Sequence, residues 1–227
     1  MKKIILSLSF AVVALFSANA QLSEGHVKYK IEMSSDNPDM EMAISMMQGS
    51  TLDVFFSGDK TRSDMKMGTM MNISTVNDGK DNILMLLSGM IGKNAIKSTI
   101  SEIEAESGEK PEYDVELMDE TKTIQNYVCK KALLTDPDGN EMTFWYTEDI
   151  IVNKKGQNYL NDEVPGFPME FELSQGGMVM SMTVTELDKK LKKGEDQTVE
   201  YTQQLVDSTG DLVRNMADAV VYNQKSS

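Results

Sequence analysis

One histidine, one cysteine and nineteen methionines carry most of the distinctive side-chain chemistry of this 227-residue chain. General acid or base work near neutral pH usually falls to histidine. The only candidate, His26, sits where Val27, Tyr29, Ile31 and Met33 alternate with polar residues. That pattern predicts an exposed position on the polar side of a strand. Any Ser-His-Asp or Cys-His arrangement would have to use His26, and no G-x-S-x-G elbow is present. A zinc site needs several Cys or His ligands, and this chain has two such residues in all. Glycine patterns that cradle phosphate are missing, and no spacing selects a carboxylate pair for glycoside hydrolysis. The expectation is therefore a non-enzymatic protein with no catalytic residue, no cofactor and no classical metal site. Cys129, set in Tyr127-Val128-Cys129-Lys130-Lys131, is expected to act as a small buried hydrophobe.

Methionine is the unusual component. It gathers in Met40, Met42, Met46 and Met47, in Met65, Met67, Met70 and Met71, and in Met178, Met180 and Met182. Three readings compete: plain core filling, a pliable apolar surface that re-packs around ligands of varied shape, and soft thioether ligands for Cu(I). The residues expected to bind an apolar or lipid-like ligand are Phe55, Met65, Met67, Trp145, Met178, Met180 and Met182. Alternation alone places them together on a concave face.

The elements that must position these residues are short strands separated by turns. Alternation predicts strands over Gly25–Met33, Leu52–Phe56, Lys60–Met67, Asn72–Asn77 and Asn82–Ser88, with turns at Gly58-Asp59 and Asp78-Gly79. Met40, Ala43, Ile44 and Met47 fall at helical spacing behind Asp39, which predicts a short helix. Ser101 to Pro111, poor in apolar residues, reads as a mobile loop. Tyr127–Thr135 and Glu141–Thr147 flank a turn at Asp136-Pro137-Asp138-Gly139-Asn140, and Met169–Leu173 and Met178–Leu187 form a further hairpin. The Asp136 turn lacks the spacing of a calcium loop. From Gln197 onwards Tyr201, Leu205, Leu212, Met216 and Ala219 predict a C-terminal helix behind a charged linker.

Lys2 and Lys3, an apolar run from Ile4 to Phe16, and Ser17-Ala18-Asn19-Ala20 have the three parts of a cleavable export signal. Cleavage after Ala20 would make Gln21 the new N-terminus. No cysteine stands there to take a lipid, so a free periplasmic or secreted protein is expected. No other apolar run approaches the roughly 20 residues that span a bilayer. The expected organisation is a signal peptide over 1–20, one β domain over 21–187, and a charged linker with a helix over 188–227. The net charge of −14 grows two units more negative once Lys2 and Lys3 are removed, which disfavours nucleic acid and anionic membranes as partners. A hydrophobic ligand or an envelope protein is the partner expected.

The stretch Asp119-Glu120-Thr121-Lys122-Thr123-Ile124-Gln125-Asn126-Tyr127-Val128-Cys129-Lys130-Lys131-Ala132 precedes Phe144-Trp145-Tyr146-Thr147-Glu148-Asp149-Ile150 and the turn Pro165-Gly166-Phe167-Pro168-Met169. With Gly58-Asp59-Lys60-Thr61-Arg62, these segments resemble a secreted Bacteroidota family, domain of unknown function 4412. The resemblance covers most of Gly25 to Leu187 and transfers no catalytic residue. It implies an α+β fold similar to the LolA-like and LppX-like lipoprotein carriers: a curved antiparallel sheet, an incomplete barrel, around an apolar cavity closed by helices. The function it favours is a carrier or sensor of an apolar ligand. An envelope interaction module with a filled core and a methionine-based Cu(I) chaperone are the alternatives.

Overall fold

In the first strand, buried Val27, Tyr29 and Ile31 alternate with Lys28, Lys30 and Glu32, so one side of the pleat is apolar and the other charged. The same period recurs along the chain and builds one large sheet. The computed structural model describes residues 21–90, 92–107, 112–154, 162–175, 177–192 and 213–215. Its strands are β1 (Glu24–Ser34), β2 (Thr51–Ser57), β3 (Lys60–Met67), β4 (Met71–Asn77), β5 (Asn82–Gly89), β6 (Gly92–Thr99), β7 (Asp114–Ile124), β8 (Tyr127–Thr135), β9 (Glu141–Thr147), β10 (Phe167–Gln175), β11 (Met178–Asp188) and β12 (Val213–Asn215). A one-turn 3-10 helix over Pro38–Met40 leads into α1 (Glu41–Met46), and α2 (Ile100–Ser107) follows β6.

The strand order is β12-β6-β5-β4-β3-β2-β1-β11-β10-β9-β8-β7, antiparallel at every step except the short parallel pairing of β12 with β6. The sheet stays open, with β12 and β7 at its edges. This is the α+β architecture expected, a curved antiparallel sheet not closed into a barrel. Register shifts at Lys28/Tyr29, Met118/Thr121 and Pro168/Glu170 bend it. Local turn chemistry sets the meander. Gln125 and Asn126 both adopt positive φ in the two-residue link between β7 and β8, as a type I′ hairpin requires.

The face that carries Tyr29, called inner below, holds the main core. Register places Ile31, Met182, Phe171 and Phe144 in one row across β1, β11, β10 and β9. Tyr29 meets Phe171 edge-on at 6.0 Å between ring centroids, and Phe144 stacks on Phe171 at 5.2 Å. The β9–β10 connection crosses back to β1 and β2. Leu22 bridges Ile150, Asn153 donates to the Asp59 carbonyl, and the Phe167 ring reaches within 6.2 Å of Tyr29. Ile150, Val152 and Val164 are thereby buried with the core.

Three expectations change. Residues 100–107 form α2 within the stretch read as a loop, because Thr99 and Glu102 make a capping box: the Thr99 N–H donates to Glu102 Oε2 at 2.8 Å, and the Glu102 N–H donates to Thr99 Oγ1 at 3.1 Å. Residues 213–215 are strand β12, not helix. The rest of the expected C-terminal helix, like the export signal at 1–20, lies outside the described residues. His26 is only 9% exposed, because β1 lies mid-sheet and the Phe55 ring stacks on the imidazole at 4.3 Å.

Candidate ligand-binding face

The sheet buries different faces in its two halves. From β1 and β2 through β8–β11 the inner face is packed and closed. In the wing formed by β3–β6, a smaller cluster of Val76, Leu84 and Ala95, with Leu86 against it, is buried on the opposite, outer face. The inner face of that wing is mixed, with Thr61, Ser63, Thr75, Asn77, Asn94 and Ser98 set among its apolar residues. Cross-strand register aligns Leu52, Met65, Ile73 and Leu87 in one row and places Met85 opposite Thr75 and Ile96 in the next, on the same face. Met65, Ile73, Met85, Leu87 and Ile96 are all half-buried. The run Ile83-Leu84-Met85-Leu86-Leu87 supplies both faces of β5 at once, which is why alternation could not assign a side to it.

The expected ligand residues divide between the faces. Met65, Met67, Met180 and Met182 lie on the inner face, in register with Leu52, Met71, Leu173 and Phe171 respectively. Met182 is 2% exposed and belongs to the core, while Met65 and Met180 pack at its margin. Met178 continues the β11 row and pairs with Gln175. Phe55 and Trp145 lie on the outer face: Phe55 is opposite His26 and Arg62, and Trp145 is opposite Glu170, whose row continues to Thr183 and Lys30. The inner-face residues that the sequence reading missed are Ile73, Met85, Leu87 and Ile96.

The two outer-face rings are tied into polar networks. Lys122 Nζ stands 4.3 Å from the Trp145 centroid and pairs with Glu170 at 2.6 Å, and Lys131 approaches the same ring at 5.9 Å while pairing with Glu120. Around Phe55, His26 Nε2 lies 2.7 Å from Asp53 Oδ1, and Arg62 stands 5.9 Å from the ring while pairing with Asp64 at 2.7 Å. Asp64 also accepts a hydrogen bond from the Ser74 hydroxyl. Asp188 lies 3.9 Å from His26 Nδ1, and its carboxyl is held below the usual range chiefly by the hydrogen bond from Lys192. These groups orient one another, and the imidazole faces the carboxylates of Asp53 and Asp188. Among the described residues no group of three or more His, Cys, Asp or Glu side chains could hold a metal ion.

Cys129 is fully buried, and burial pushes its thiol up to about 11. Such a thiol is neutral and inert at physiological pH. A pocket of about 120 Å³ opens where Gln21, Glu148, Ile150, Lys154 and Phe167 meet. Lys154 donates to the Val164 carbonyl there, and burial lowers its pKa. This volume is well under the roughly 300–1,000 Å³ of sites that enclose small molecules.

No family model matches the chain, and no curated protein matches it. Solved structures that match the chain include PNGF-II, at 17% identity and a TM-score of 0.49, where the match covers 88% of this chain but 32% of that one. The chain thus spans about a third of the length of PNGF-II. Two others are the lipoprotein LppX of Mycobacterium tuberculosis, at 10% identity and a TM-score of 0.37 with 75% of this chain and 89% of that one covered, and LprF of Mycobacterium bovis, at 10% and 0.33 with 77% and 90% covered. Among the described residues no helix is long and apolar enough to cross a membrane.

Proposed function

We propose that this protein is a non-enzymatic carrier or sensor of an apolar, lipid-like ligand outside the cytoplasm, and that the ligand lies along the inner face of β3–β6. The observation that carries this reading is the half-buried row of Met65, Ile73 and Leu87, with Met85 and Ile96 beside it, on a wing whose outer face has its own closed cluster. Each methylene buried there would contribute about 0.8 kcal/mol, so an acyl chain could be held without polar contacts. Methionine suits the task because its unbranched thioether re-packs around chains of different length. The resemblance to the LolA-like and LppX-like carriers supports the same reading, as does the export signal read at residues 1–20.

The test is binding of a fluorescent fatty-acid analogue to the wild-type chain and to Ile73→Asp/Leu87→Asp. Saturable binding that the double variant weakens at least tenfold is expected. Equal binding by both would remove the wing from the account. The small pocket and packed main core favour a second reading, an envelope interaction module whose surface meets a partner protein. Failure of the wild-type chain to bind the analogue would promote it.

A further inference from the structure

Two of the three methionine groups in the sequence, far apart along the chain, meet at one end of the wing. The β3–β4 turn runs from Met67 through Gly68, Thr69 and Met70 to Met71, and Met67 and Met71 are directly opposed across it. The end of α1 abuts this turn. The Thr69 N–H donates to the Met46 carbonyl, and a Cβ on Gly68 would stand 2.8 Å from the Met47 Cα. On the other side the Met90 N–H donates to the Met70 carbonyl at 3.1 Å. Six methionines, Met46, Met47, Met67, Met70, Met71 and Met90, thus come from three segments whose backbones touch.

Met90 is 75% and Met46 37% exposed, and the other four are partly exposed, so this is not packed core. The third group differs. Met178, Met180 and Met182 follow one another along a single strand at about 6.6 Å intervals, and Met182 is sealed in the core.

We infer that the turn between β3 and β4, with the end of α1 and Met90, forms a thioether site for a soft monovalent cation of the Cu(I) or Ag(I) class, with Met47, Met67 and Met71 as its core ligands. Thioethers prefer such ions over zinc, calcium or magnesium. Each sulfur ends a side chain with three rotatable bonds, so three neighbours around one turn can converge. The strongly negative chain attracts cations to it. Because a thioether carries no proton to lose, affinity is set without the pH dependence that thiolate or imidazole ligands impose. The site stands apart from the apolar-ligand reading, which rests on the rows of Met65 and Met85.

The test is titration of the full mature chain with Ag(I), and with Cu(I) held by a competing chelator, followed by competition and native mass spectrometry. One ion bound with sub-micromolar affinity, unchanged between pH 5 and pH 7.5, is expected. Met47→Leu/Met67→Leu/Met71→Leu, a volume-conserving change, should weaken it at least a hundredfold while Met142→Leu does not. Binding that survives the triple variant, that disappears instead in Met178→Leu/Met180→Leu or in Cys129→Ser, or that stays weaker than about 10 μM would overturn the assignment.

Discussion

Cys129 shows how burial fixes the behaviour of one side chain. The unfolded thiol ionises near 9, whereas the folded one keeps its proton to about 11, so between those values the native state binds more protons than the unfolded state. Stability therefore falls as pH rises through that window, and the thiol contributes fully only below it. A urea midpoint measured from pH 9 to pH 11 should drop less steeply in Cys129→Ala than in the wild type, and a thiol reagent should label the native protein only as fast as it unfolds. Phe171 makes the complementary point about packing. It is fully buried between Tyr29 and Phe144, and Phe171→Ala should cost about 3–5 kcal/mol in denaturant unfolding. Phe55→Ala, on the outer face, should cost clearly less.

At the scale of elements, the turns decide where strands stop and which segments meet. Gly68 has φ +51, and a Cβ there would fall 2.0 Å from the Met46 carbonyl oxygen, so Gly68→Ala combines left-handed strain with a clash against α1. Its expected cost is about 1–3 kcal/mol. Gly139 also has positive φ but open space around it, and Gly139→Ala should cost less than Gly68→Ala in the same urea series. Most strands were legible because turn residues bracket alternating runs, and β8 and β9 have the bounds that pattern predicts. The helix α2 was hidden by its Glu and Ser content, although the Thr99–Glu102 capping box that starts it was written in the sequence. Face assignment was less legible. Parity along one strand cannot say which side of a sheet curls inward, and so Phe55 and Trp145, expected beside Met65 and Met182, stand on the far side with their lysine and arginine neighbours. His26 was misread for a different reason: its side was right, but the polar side of a central strand is still covered when an aromatic ring from the next strand lies over it.

The described residues form an open sheet with one half packed on its inner face and the other half carrying a small apolar cluster on its outer face and a mixed inner face. The packed first half leaves a small pocket near Gln21 and Phe167, and the proposed place of the apolar ligand is the wing. The wing is thin, since its outer cluster rests on Val76, Leu84 and Ala95 with Leu86 against them. Occupation of the inner face by a ligand would add buried area where the fold has least, so a saturating ligand at a hundred times its Kd should add about 2.7 kcal/mol to unfolding. A thermal scan with and without the fatty-acid analogue checks this, and Ile73→Asp/Leu87→Asp should abolish the increment. The most direct measurement of the central claim is native mass spectrometry of the mature chain recovered from the periplasm of a producing bacterium. The account predicts added masses of several hundred daltons that disappear on solvent extraction and are missing from Ile73→Asp/Leu87→Asp, whereas a bare chain mass for the wild-type protein would contradict it.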